Sequence, residues 1–598
     1  MSAADSRRRI GARIGGHRSL IGLVAAAIGV LVGLASVLFT LMIEGWTWVS
    51  TGYEEYSTRG GAPHGVLPIP SWALLLAAPL VAAALYGPLV HRFAPSARGH
   101  GIPEVMLAVR RKEGAIPGRV AVVKLIASSL TIGSGGSAGR EGPIVQVGAA
   151  LGSSMARFLG LDARRVVLLA ACGAAGGIAA TFHAPLAGAV FALEVILTRF
   201  TAETFGYVVI SSVAASIVAR ALQGDSSVVR VAADLEAWTL TDMWWVALLG
   251  VLAGLVGLGF SKLLYLIEDA LDAVWSKIPA PEWARPIVFA PLLGLGLICF
   301  PQMYGSGTPI EEAALDGRYA LGFLVLAMLG RALYTSFTIG MGGSGGVFAP
   351  TLFIGAMAGT AFGTLIDPLT ASAPGVFGVI AMGAAFSGAA RAPMTAVLII
   401  VEMTGTYSLI LPMMLAVVLA TGVSRFLTRG TIYTEKLRRR GDVLADPVEA
   451  TLVGSKPVKQ WMEELPALLT PATAPAEAAA LMRASGSAEL PLVDAEGRFT
   501  GLVSALDLLE VHPAKGRALS ERVSLTVSVN AEDSPHLVLS RLLTSGTSGV
   551  PVLDAEGRPV GWVSERGLVA RLEEEQKRAL AARAESSWGS RWKQRHAR

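Results

Sequence analysis

Four glycine-rich turns in this sequence each lead into a proline at the expected first turn of a helix. The four prolines are Pro103, Pro143, Pro309 and Pro350. Proline is favoured at this position because its missing N–H would be unpaired in any case, and the glycines let bare amides approach a ligand closely. Helix N-termini carry unpaired N–H donors and partial positive charge, so they bind anions without a lysine. The turns therefore predict an anion site that is weak enough to release its ligand.

Glu141 lies inside the second of these turns, two residues before Pro143. A carboxylate beside a helix start can simply accept hydrogen bonds from the first backbone amides. Beside an anion site it also competes with the anion for the same donors, and protonation would end that competition. Glu141 is thus a candidate gate, with helix capping as the simpler alternative.

The elements that carry these turns are apolar enough to lie in a membrane. Of the 598 residues, 53% are hydrophobic and 16% are charged, and the mean hydropathy is +0.55. Residues 19–43, 71–90 and 243–261 are apolar runs, and the first two are each free of charge and long enough to cross a hydrocarbon core of about 30 Å. The first run is too long for the core of a signal peptide. The composition predicts a multi-pass membrane protein.

Clusters of basic residues flank the apolar region at both ends, and such clusters mark the cytoplasmic side. They are Arg7, Arg8, Arg9, Arg13 and Arg18 before the first run, and Lys436, Arg438, Arg439 and Arg440 after the last. We therefore expect a protein of the cell membrane with both termini in the cytoplasm, and no nucleic-acid partner. The two cysteines, Cys172 and Cys299, are too few and too far apart for a disulfide framework or a zinc site.

The membrane region contains an internal repeat, over about residues 70–230 and 280–440. Four groups of landmarks match at offsets of 206, 207, 207 and 208 residues. The matched pairs include Pro103 with Pro309, Pro143 with Pro350, Pro185 with Pro393, and Glu194 with Glu402. Many apolar segments are also cut short by Gly or Pro, and broken helices are tolerated at membrane depth only where they are buried or line a cavity. This pattern is typical of a transporter whose site lies between two structural repeats.

A soluble region follows, and it is also a repeat. Residues 490–498 (LPLVDAEGR) recur as residues 550–558 (VPVLDAEGR), each predicting strand, turn and second strand with a helix after it. A helix is also predicted over residues 476–484, after Pro475. The predicted organisation is a basic tail (1–18), a membrane domain (19–440), a linker (441–456), two repeat units (457–512 and 513–575) and a charged tail (576–598).

Together the motifs resemble those of the CLC family of chloride channels and proton–chloride antiporters over about residues 19–440. GHGIP (99–103), GREGP (139–143), GVFAP (346–350) and Tyr433 stand in the order of that family's anion-site motifs, and residues 188–194, 391–393 and 402–405 extend the match. The paired soluble units look like CBS domains. The resemblance implies an all-α polytopic membrane protein of two repeats with short broken helices, followed by an α/β tandem CBS module. It also implies a homodimer in the lipid bilayer with one pathway per subunit, carrying chloride and other small anions.

The same resemblance assigns roles to individual residues. Glu141 matches the external gate, the backbone amides of Val347 and Phe348 match donors to the central anion, and the hydroxyl group of Tyr433 matches a third donor. Plain packing for Phe348 and interfacial anchoring for Tyr433 are the alternatives. The full set assigned to anion binding is Gly99, His100, Gly101, Ile102, Pro103, Gly139, Arg140, Gly142, Val347, Phe348 and Tyr433.

Two positions depart from the family pattern. His100 stands where the family usually has an anion-binding serine, so its imidazole either donates to the anion or points away from it. Val195 stands where antiporters carry the internal proton acceptor. Valine carries no proton, so this position favours a gated chloride channel, with a proton–chloride antiporter as the alternative. Glu194 precedes Val195 by one position and is turned about 100° away on a helix, so a structural role shared with Glu402 is expected instead.

Other functions fit the sequence less well. A CBS-regulated divalent-cation transporter would need several carboxylates along its membrane path. No phosphate-binding loop or nucleophile–base set indicates an enzyme, and no cofactor is required for transport. In the CBS module, Asp507 matches an acid that contacts ribose, and its counterpart in the second unit is Gly567. At most one adenine-nucleotide site is therefore expected, with a purely structural module as the alternative.

Overall fold

The structure is a computed structural model, and the chain forms two compact units, Met1–Leu444 and Ala445–Arg598. It describes residues 17–57, 70–198, 200–224, 229, 240–370, 372–440, 442, 457–509, 526–533, 538–539, 541–542, 545–568, 570–571 and 573–574. Almost all of the predicted basic tail and linker, and the whole charged C-terminal tail, lie outside the described residues.

The described part of the first unit is helical, as expected from its long apolar runs. Its helices are α1 (Arg18–Thr51), α2 (Ser71–Phe93), α3 (Ile102–Arg111), α4 (Arg119–Gly133), α5 (Glu141–Phe158), α6 (Ala163–Phe182), α7 (Pro185–Phe191), α8 (Ala202–Gln223), α9 (Met243–Trp275), α10 (Arg285–Cys299), α11 (Thr308–Leu315), α12 (Leu321–Gly340), α13 (Phe348–Ile366), α14 (Pro374–Ala390), α15 (Pro393–Thr404), α16 (Ile410–Leu427) and α17 (Thr434–Arg439). Among the described residues, nine helices are long and apolar enough to cross a membrane. The prediction of a multi-pass membrane protein is confirmed.

The predicted repeat is confirmed, because α2 to α8 and α10 to α16 follow the same order of long and short helices. The two halves exchange equivalent hydrogen bonds. The Ser137 N–H donates to Thr338 Oγ1 at 3.2 Å, and the Ser344 N–H donates to Thr131 Oγ1 at 3.2 Å. Since each half gives the other the same bond, an approximate two-fold axis relates them.

The helices that precede the two repeats, α1 and α9, are related by the same approximate two-fold axis. In α1, a Cβ on Gly29 would lie 2.2 Å from the Ser211 carbonyl oxygen of α8, so the two helix backbones touch. In α9, a Cβ on Gly250 would lie 2.7 Å from the Ala416 carbonyl oxygen of α16. The landmarks in the sequence did not include these two helices.

Short helices lie where the sequence breaks its apolar runs. The helix α7 is only seven residues long and continues as one wide π-helical stretch, Ala192–Leu197. Its counterpart α15 has 12 residues. Both begin with proline and pack against each other between longer helices. Among these, α6 and α14 form the interior, and every residue of α14 after Pro374 is buried.

The second unit contains two small sheets. The strands β1 (Glu489–Val493) and β2 (Phe499–Ser504) pair antiparallel, while β3 (Val529–Asn530) runs parallel to β4 (Gly549–Leu553), which pairs antiparallel with β5 (Pro559–Ser564). The helices α18 (Pro475–Ser485) and α19 (Ala505–Leu509) accompany the first sheet. The predicted helix after Pro475 is confirmed.

The two hairpins have identical turns, as the repeated sequence predicts. Asp494 Oδ1 accepts hydrogen bonds from the Glu496 and Arg498 amides at 3.1 and 2.7 Å. Asp554 Oδ1 accepts the same two bonds in the second hairpin at 3.0 and 2.8 Å. The aspartate carboxylate thus fixes each turn by binding the backbone two and four residues ahead.

Candidate functional site

The loops before α3, α5 and α13 meet at one point inside the membrane unit. Gly139 and Gly346 exchange backbone hydrogen bonds, with N···O distances of 2.9 and 2.6 Å. The Gly99 N–H donates to the Gly343 carbonyl oxygen at 3.2 Å, and the Gly345 N–H to the Gly99 carbonyl oxygen at 3.4 Å. Because these bonds fix the loops against one another, the N-termini of three helices converge on a shared junction. The prolines stand in the first turn of each helix, as predicted.

Glycine is required where the loops touch. A Cβ on Gly142 would lie 2.3 Å from the His100 carbonyl oxygen. Gly101 has a φ of +82°, and a Cβ there would lie 2.8 Å from the Gly142 carbonyl oxygen. No side chain fits at either distance. The glycines that the sequence assigns to the anion site are therefore brought together, along with the buried first residues of α3, Ile102 and Pro103.

The Glu141 side chain lies in this junction. It is the first residue of α5, it is only 2% exposed, and its Oε2 accepts a hydrogen bond of 3.4 Å from the Ala349 N–H in the first turn of α13. A Cβ on Gly139 would lie 2.1 Å from the same Oε2. The carboxylate therefore lies at the start of α5 and accepts a hydrogen bond from the start of α13, where an anion would compete with it for the same donor.

His100 and Tyr433 lie together at the same junction. Both are 1% exposed, and their ring centroids are 6.2 Å apart. Among the described residues, both imidazole nitrogens and the Tyr433 hydroxyl group lack a hydrogen-bond partner. Burying three polar atoms without partners is costly, so this pair is suited to hold a polar or charged ligand.

Val347 and Phe348 form the start of α13, as the N-cap and the first helical residue. Amides in a first helical turn have no acceptor within the helix. The Phe348 ring packs on Phe386, with centroids 4.1 Å apart, and lies 5.3 Å from Phe182. The ring thus belongs to an aromatic cluster. The backbone N–H of Phe348 is the group that can donate a hydrogen bond to an anion.

Arg140 is directed elsewhere. Its guanidinium group donates to Thr40 Oγ1 at 3.3 Å and lines a cavity of about 250 Å³. Glu44, Glu54 and Glu55 line the same cavity, as do Tyr304, Gly305 and Ser306. Arg140 therefore contributes its backbone to the turn, while its side chain faces the cavity beside the junction. Among the described residues, no group of His, Cys, Asp and Glu is arranged to hold a metal ion.

Two buried cations that hold the loops were not identified from the sequence. Lys124 in α4 donates to the carbonyl oxygens of Ala97 and Gly99 at 2.9 and 2.6 Å. Arg331 in α12 donates to the carbonyl oxygens of Met303 and Ser306. Both side chains are 0% exposed, and their positions differ by 207 residues, the offset of the repeat. Arg331 is the one charged residue of α12, and Lys124 is the one charge in the interior of α4, which begins with Arg119, so this signal was visible in the sequence.

Glu194 and Glu402 have the shared structural role that was predicted. Glu194 accepts hydrogen bonds from the amides of Met394 and Thr395 at the start of α15, at 3.2 and 2.9 Å. Glu402 accepts hydrogen bonds from the amides of Leu186 and Ala187 at the start of α7, at 3.1 and 2.7 Å. Each repeat thus caps the short helix of the other.

Val195 lies in the π-helical stretch after α7 and is buried. Its carbonyl oxygen accepts a hydrogen bond of 2.8 Å from the Arg110 guanidinium group. The π-helical winding places this residue in the interior, with the neighbouring Glu194 directed to α15. The Glu194 carboxylate therefore serves as the cap of α15 and does not replace a proton acceptor at position 195.

The short basic helix α17 follows Tyr433 and carries Lys436, whose amino group lies 3.3 Å from Glu268 Oε1. A Cβ on Gly99 would lie 2.9 Å from the same amino group. Burial raises the pKa of Glu435, but hydrogen bonds from Arg438 and Arg439 outweigh it and hold this pKa below its usual value. An ionised Glu435 keeps this helix fixed, with a cation beside the GHGIP turn.

In the CBS module, Asp507 caps α19, since its Oδ2 accepts a hydrogen bond of 2.8 Å from the Ser504 N–H. The equivalent space in the second unit is filled by another residue. A Cβ on Gly567 would lie 1.6 Å from Glu463 Oε1, and that carboxylate accepts a hydrogen bond from Ser564 Oγ. The second unit therefore has an acid near this place that was not apparent from its repeat sequence.

Comparison with known proteins identifies both units. The voltage gated chloride channel family profile matches residues 81–425, and the CBS domain profile matches residues 458–513 and 525–574. The H(+)/Cl(-) exchange transporter ClcA of Vibrio parahaemolyticus is 36% identical over 426 residues, covering 70% of this chain and 89% of the relative. The relative of the same name from Yersinia pseudotuberculosis is 32% identical over 452 residues, covering 73% and 91%.

Solved structures agree on the fold. A slow cyanobacterial Cl-/H+ antiporter aligns with a TM-score of 0.62 and 26% identity over 70% of this chain and 97% of that chain. A eukaryotic CLC transporter aligns with a TM-score of 0.59 and 20% identity over 92% of this chain and 97% of that chain. The names of the relatives fit the antiporter alternative better than the channel that Val195 favours. The chain belongs to the voltage gated chloride channel (CLC) family of anion transporters and carries tandem CBS domains.

Proposed function

We propose that this protein exchanges chloride for protons, with one pathway in each subunit. The observation that carries the proposal is the Glu141 carboxylate, held by α5 and α13 at the point where the anion would bind. The names of the relatives support exchange. This reverses the preference for a channel that the sequence alone favoured.

Competition between Glu141 and the anion links the two ions. An ionised Glu141 accepts a hydrogen bond from the start of α13, so the anion and the carboxylate exclude one another there. A protonated Glu141 is neutral and a weaker acceptor, so an anion replaces it. Each replacement of the carboxylate by an anion therefore consumes one proton, which is the basis of coupling.

We assign the anion to the junction lined by His100, Tyr433 and the first amides of α13. The unpartnered imidazole of His100 and hydroxyl group of Tyr433 support this assignment, because a chloride ion would accept a hydrogen bond from one imidazole N–H and one from the hydroxyl group. Lys124 and Lys436 add positive potential next to the site. Since both amino groups already hold protein oxygens, they attract the anion without binding it tightly.

A gated channel is the second candidate, and Val195 is the observation in its favour. The Val195 side chain cannot carry a proton and Glu194 caps α15. Exchange therefore requires a proton route that does not depend on the side chain at position 195.

We also propose a homodimer in the cell membrane with both termini in the cytoplasm. The carboxylates that cap α7 and α15 are partly exposed. They bind the Leu186 and Met394 amides, and these two residues lie at the surface of the unit. Charged caps facing lipid would be costly. A second copy covering α7 and α15 removes that cost, and the basic residues of α17 favour the cytoplasmic side.

The test is chloride-driven proton movement in liposomes containing the purified protein. An outward chloride gradient should drive protons uphill into the liposomes, and Glu141→Gln should abolish this movement while chloride still flows. Glu203→Gln is the matched control, because Glu203 is an exposed acid in the first turn of α8. A reversal potential equal to the chloride equilibrium potential at every pH gradient would instead establish the channel.

A further inference from the structure

Two loops of the membrane unit are rich in basic residues that have no part in the transport mechanism. Residues 111–119 span the connection from α3 to α4, and residues 157–165 span the connection from α5 to α6. We call these two segments the basic loops. Together they contain six basic and two acidic residues, which leaves a net charge of +4. The basic residues are Arg111, Lys112, Arg119, Arg157, Arg164 and Arg165.

The basic loops are packed together. A Cβ on Gly118 of the first loop would lie 3.0 Å from Ser154 Oγ of α5. A Cβ on Gly114 would lie 2.8 Å from the backbone nitrogen of Val167 in α6. The first basic loop therefore contacts both helices that flank the second.

These contacts bring basic residues of the two loops onto one surface. Arg157 stands three residues after Ser154 in α5. Arg164 stands three residues before Val167 in α6. Residues three apart share one face of a helix and are separated by about 4.5 Å along its axis. Because Arg119 directly follows the glycine that contacts α5, basic residues of both loops gather where the loops meet.

The acidic residues close to the basic loops do not neutralise this surface. The Asp162 carboxylate caps α6, because its Oδ1 accepts a hydrogen bond of 2.9 Å from the Arg165 N–H. Glu203 of α8 pairs with the Arg165 guanidinium group at 3.3 Å. Glu113 is the other acid of the basic loops, and it is exposed. The acids thus compensate Arg165 and leave an excess of positive charge.

Four exposed basic residues of the loops form no ion pair with any residue that the structure describes. They are Lys112, Arg119, Arg157 and Arg164. Gathering like charges without partners destabilises the compact state. The equivalent segments of the second repeat, residues 317–325 and 364–372, contain one basic and one acidic residue, Arg318 and Asp367. The repeat architecture therefore does not require the basic cluster.

The basic loops lie at the end of a membrane span. The second loop leads into α6, which is long and apolar enough to cross a membrane. Phe158, next to Arg157, is 67% exposed. The helix α8 links this face to the start of α1, because the Tyr207 hydroxyl group donates to the Arg18 carbonyl oxygen at 3.3 Å. Basic clusters at the cytoplasmic ends of membrane helices attract anionic lipid head groups, and phenylalanine inserts at the boundary of the acyl chains.

We propose that the basic loops bind the head group of an anionic phospholipid, with the Phe158 ring among its acyl chains. Arginine side chains donate charge-assisted, bidentate hydrogen bonds to phosphate oxygens. A zwitterionic head group carries a compensating positive charge, so the same loops bind it more weakly. The site is separate from the anion junction, and it does not rest on the proposed exchange.

The test titrates the detergent-purified full-length protein with phosphatidylglycerol and counts bound lipids by native mass spectrometry. Phosphatidylglycerol should bind about tenfold more tightly than phosphatidylcholine, and its affinity should fall as the salt concentration rises. A basic residue contributes about fivefold to such binding, so the double substitution Arg157→Gln with Arg164→Gln should weaken it about 25-fold. Arg318→Gln is the matched control, because Arg318 stands 206 residues after Lys112, and it should keep the parental affinity.

The double substitution Arg157→Lys with Arg164→Lys keeps both charges, in case the glutamine variant folds poorly. It should bind phosphatidylglycerol within about threefold of the parent, since lysine loses only the bidentate geometry. Equal phosphatidylglycerol affinity in the parent and the glutamine variant would overturn the proposal, as would equal binding of phosphatidylcholine by the parent. Displacement of the lipid by an equal concentration of glycerol phosphate would assign the loops to a soluble anion and overturn the lipid assignment.

Discussion

Replacing Glu194 by alanine tests whether the two repeats stabilise each other through their reciprocal caps. The carboxylate accepts three hydrogen bonds, from the Met394 amide at 3.2 Å, the Thr395 amide at 2.9 Å and the Thr395 hydroxyl group at 2.7 Å. An intramolecular hydrogen bond contributes about 1–1.5 kcal/mol net, and the three bonds of this cap add up. We therefore expect Glu194→Ala to reduce the free energy of unfolding by about 3–4 kcal/mol.

Thermal unfolding of the detergent-solubilised protein measures this loss. Globular proteins have an unfolding entropy of about 2.1 cal/mol/K per residue, so a membrane unit of roughly 420 residues loses about 1 °C of Tm per kcal/mol. The expected decrease in Tm is thus about 3–4 °C. Glu402→Ala removes two hydrogen bonds in place of three and should lower Tm by about 2–3 °C.

Glu203→Ala is the control, since Glu203 is half exposed and, within the described part of the chain, its carboxylate pairs with Arg165 at the surface. Its loss should cost less than about 1 kcal/mol. The reasoning is refuted if Glu194→Ala melts at the parental temperature while its proton coupling disappears. That result would make Glu194 a proton carrier and not a cap.

Three further changes test other parts of the site. His100→Ser should change the chloride-to-nitrate flux ratio by about fivefold, the equivalent of one hydrogen bond. The control His91→Ser changes an exposed histidine and should leave the ratio unaltered. Identical ratios in His100→Ser and the parent would place His100 outside the pathway. Val195→Glu should raise the number of protons moved per chloride in liposomes above the parental value, and an unchanged ratio would show that the proton route does not pass this position. Asp507→Ala should weaken ATP binding to the full-length protein by about tenfold, measured by equilibrium dialysis, and equal binding would leave Asp507 only its role in capping α19.

Backbone features of the junction were predictable because they depend on glycine and proline. Pro103, Pro143 and Pro350 begin helices for local reasons, and Gly101 and Gly142 permit contacts that no other residue allows. The duplicated landmarks then predicted the pairing of the two halves. Such features survive in the sequence because no other residue type can replace them.

Residues that act through burial were harder to find. Lys124 and Arg331 occupy no recognisable motif, and their importance comes from helices that surround them only after folding. Glu463 likewise fills the space at Gly567 from a segment about 100 residues away, so the repeated sequence of the second unit contained no sign of it. Val195 alone favoured a channel, whereas the names of the relatives fit the antiporter alternative better, so one missing acid does not decide between the two.

The reciprocal helix caps and the hydrogen bonds between the loops can form only after both repeats have been synthesised. Glu194 has no cap partner until Thr395 is added to the growing chain, 201 residues later. At about 5–20 residues per second, that interval is roughly 10–40 s. During it, the carboxylate and the glycine loops of the first half have no partners from the second. A ribosome that stalls between the halves would leave a fragment with polar groups exposed inside the bilayer, and such a fragment is a natural substrate for membrane quality control.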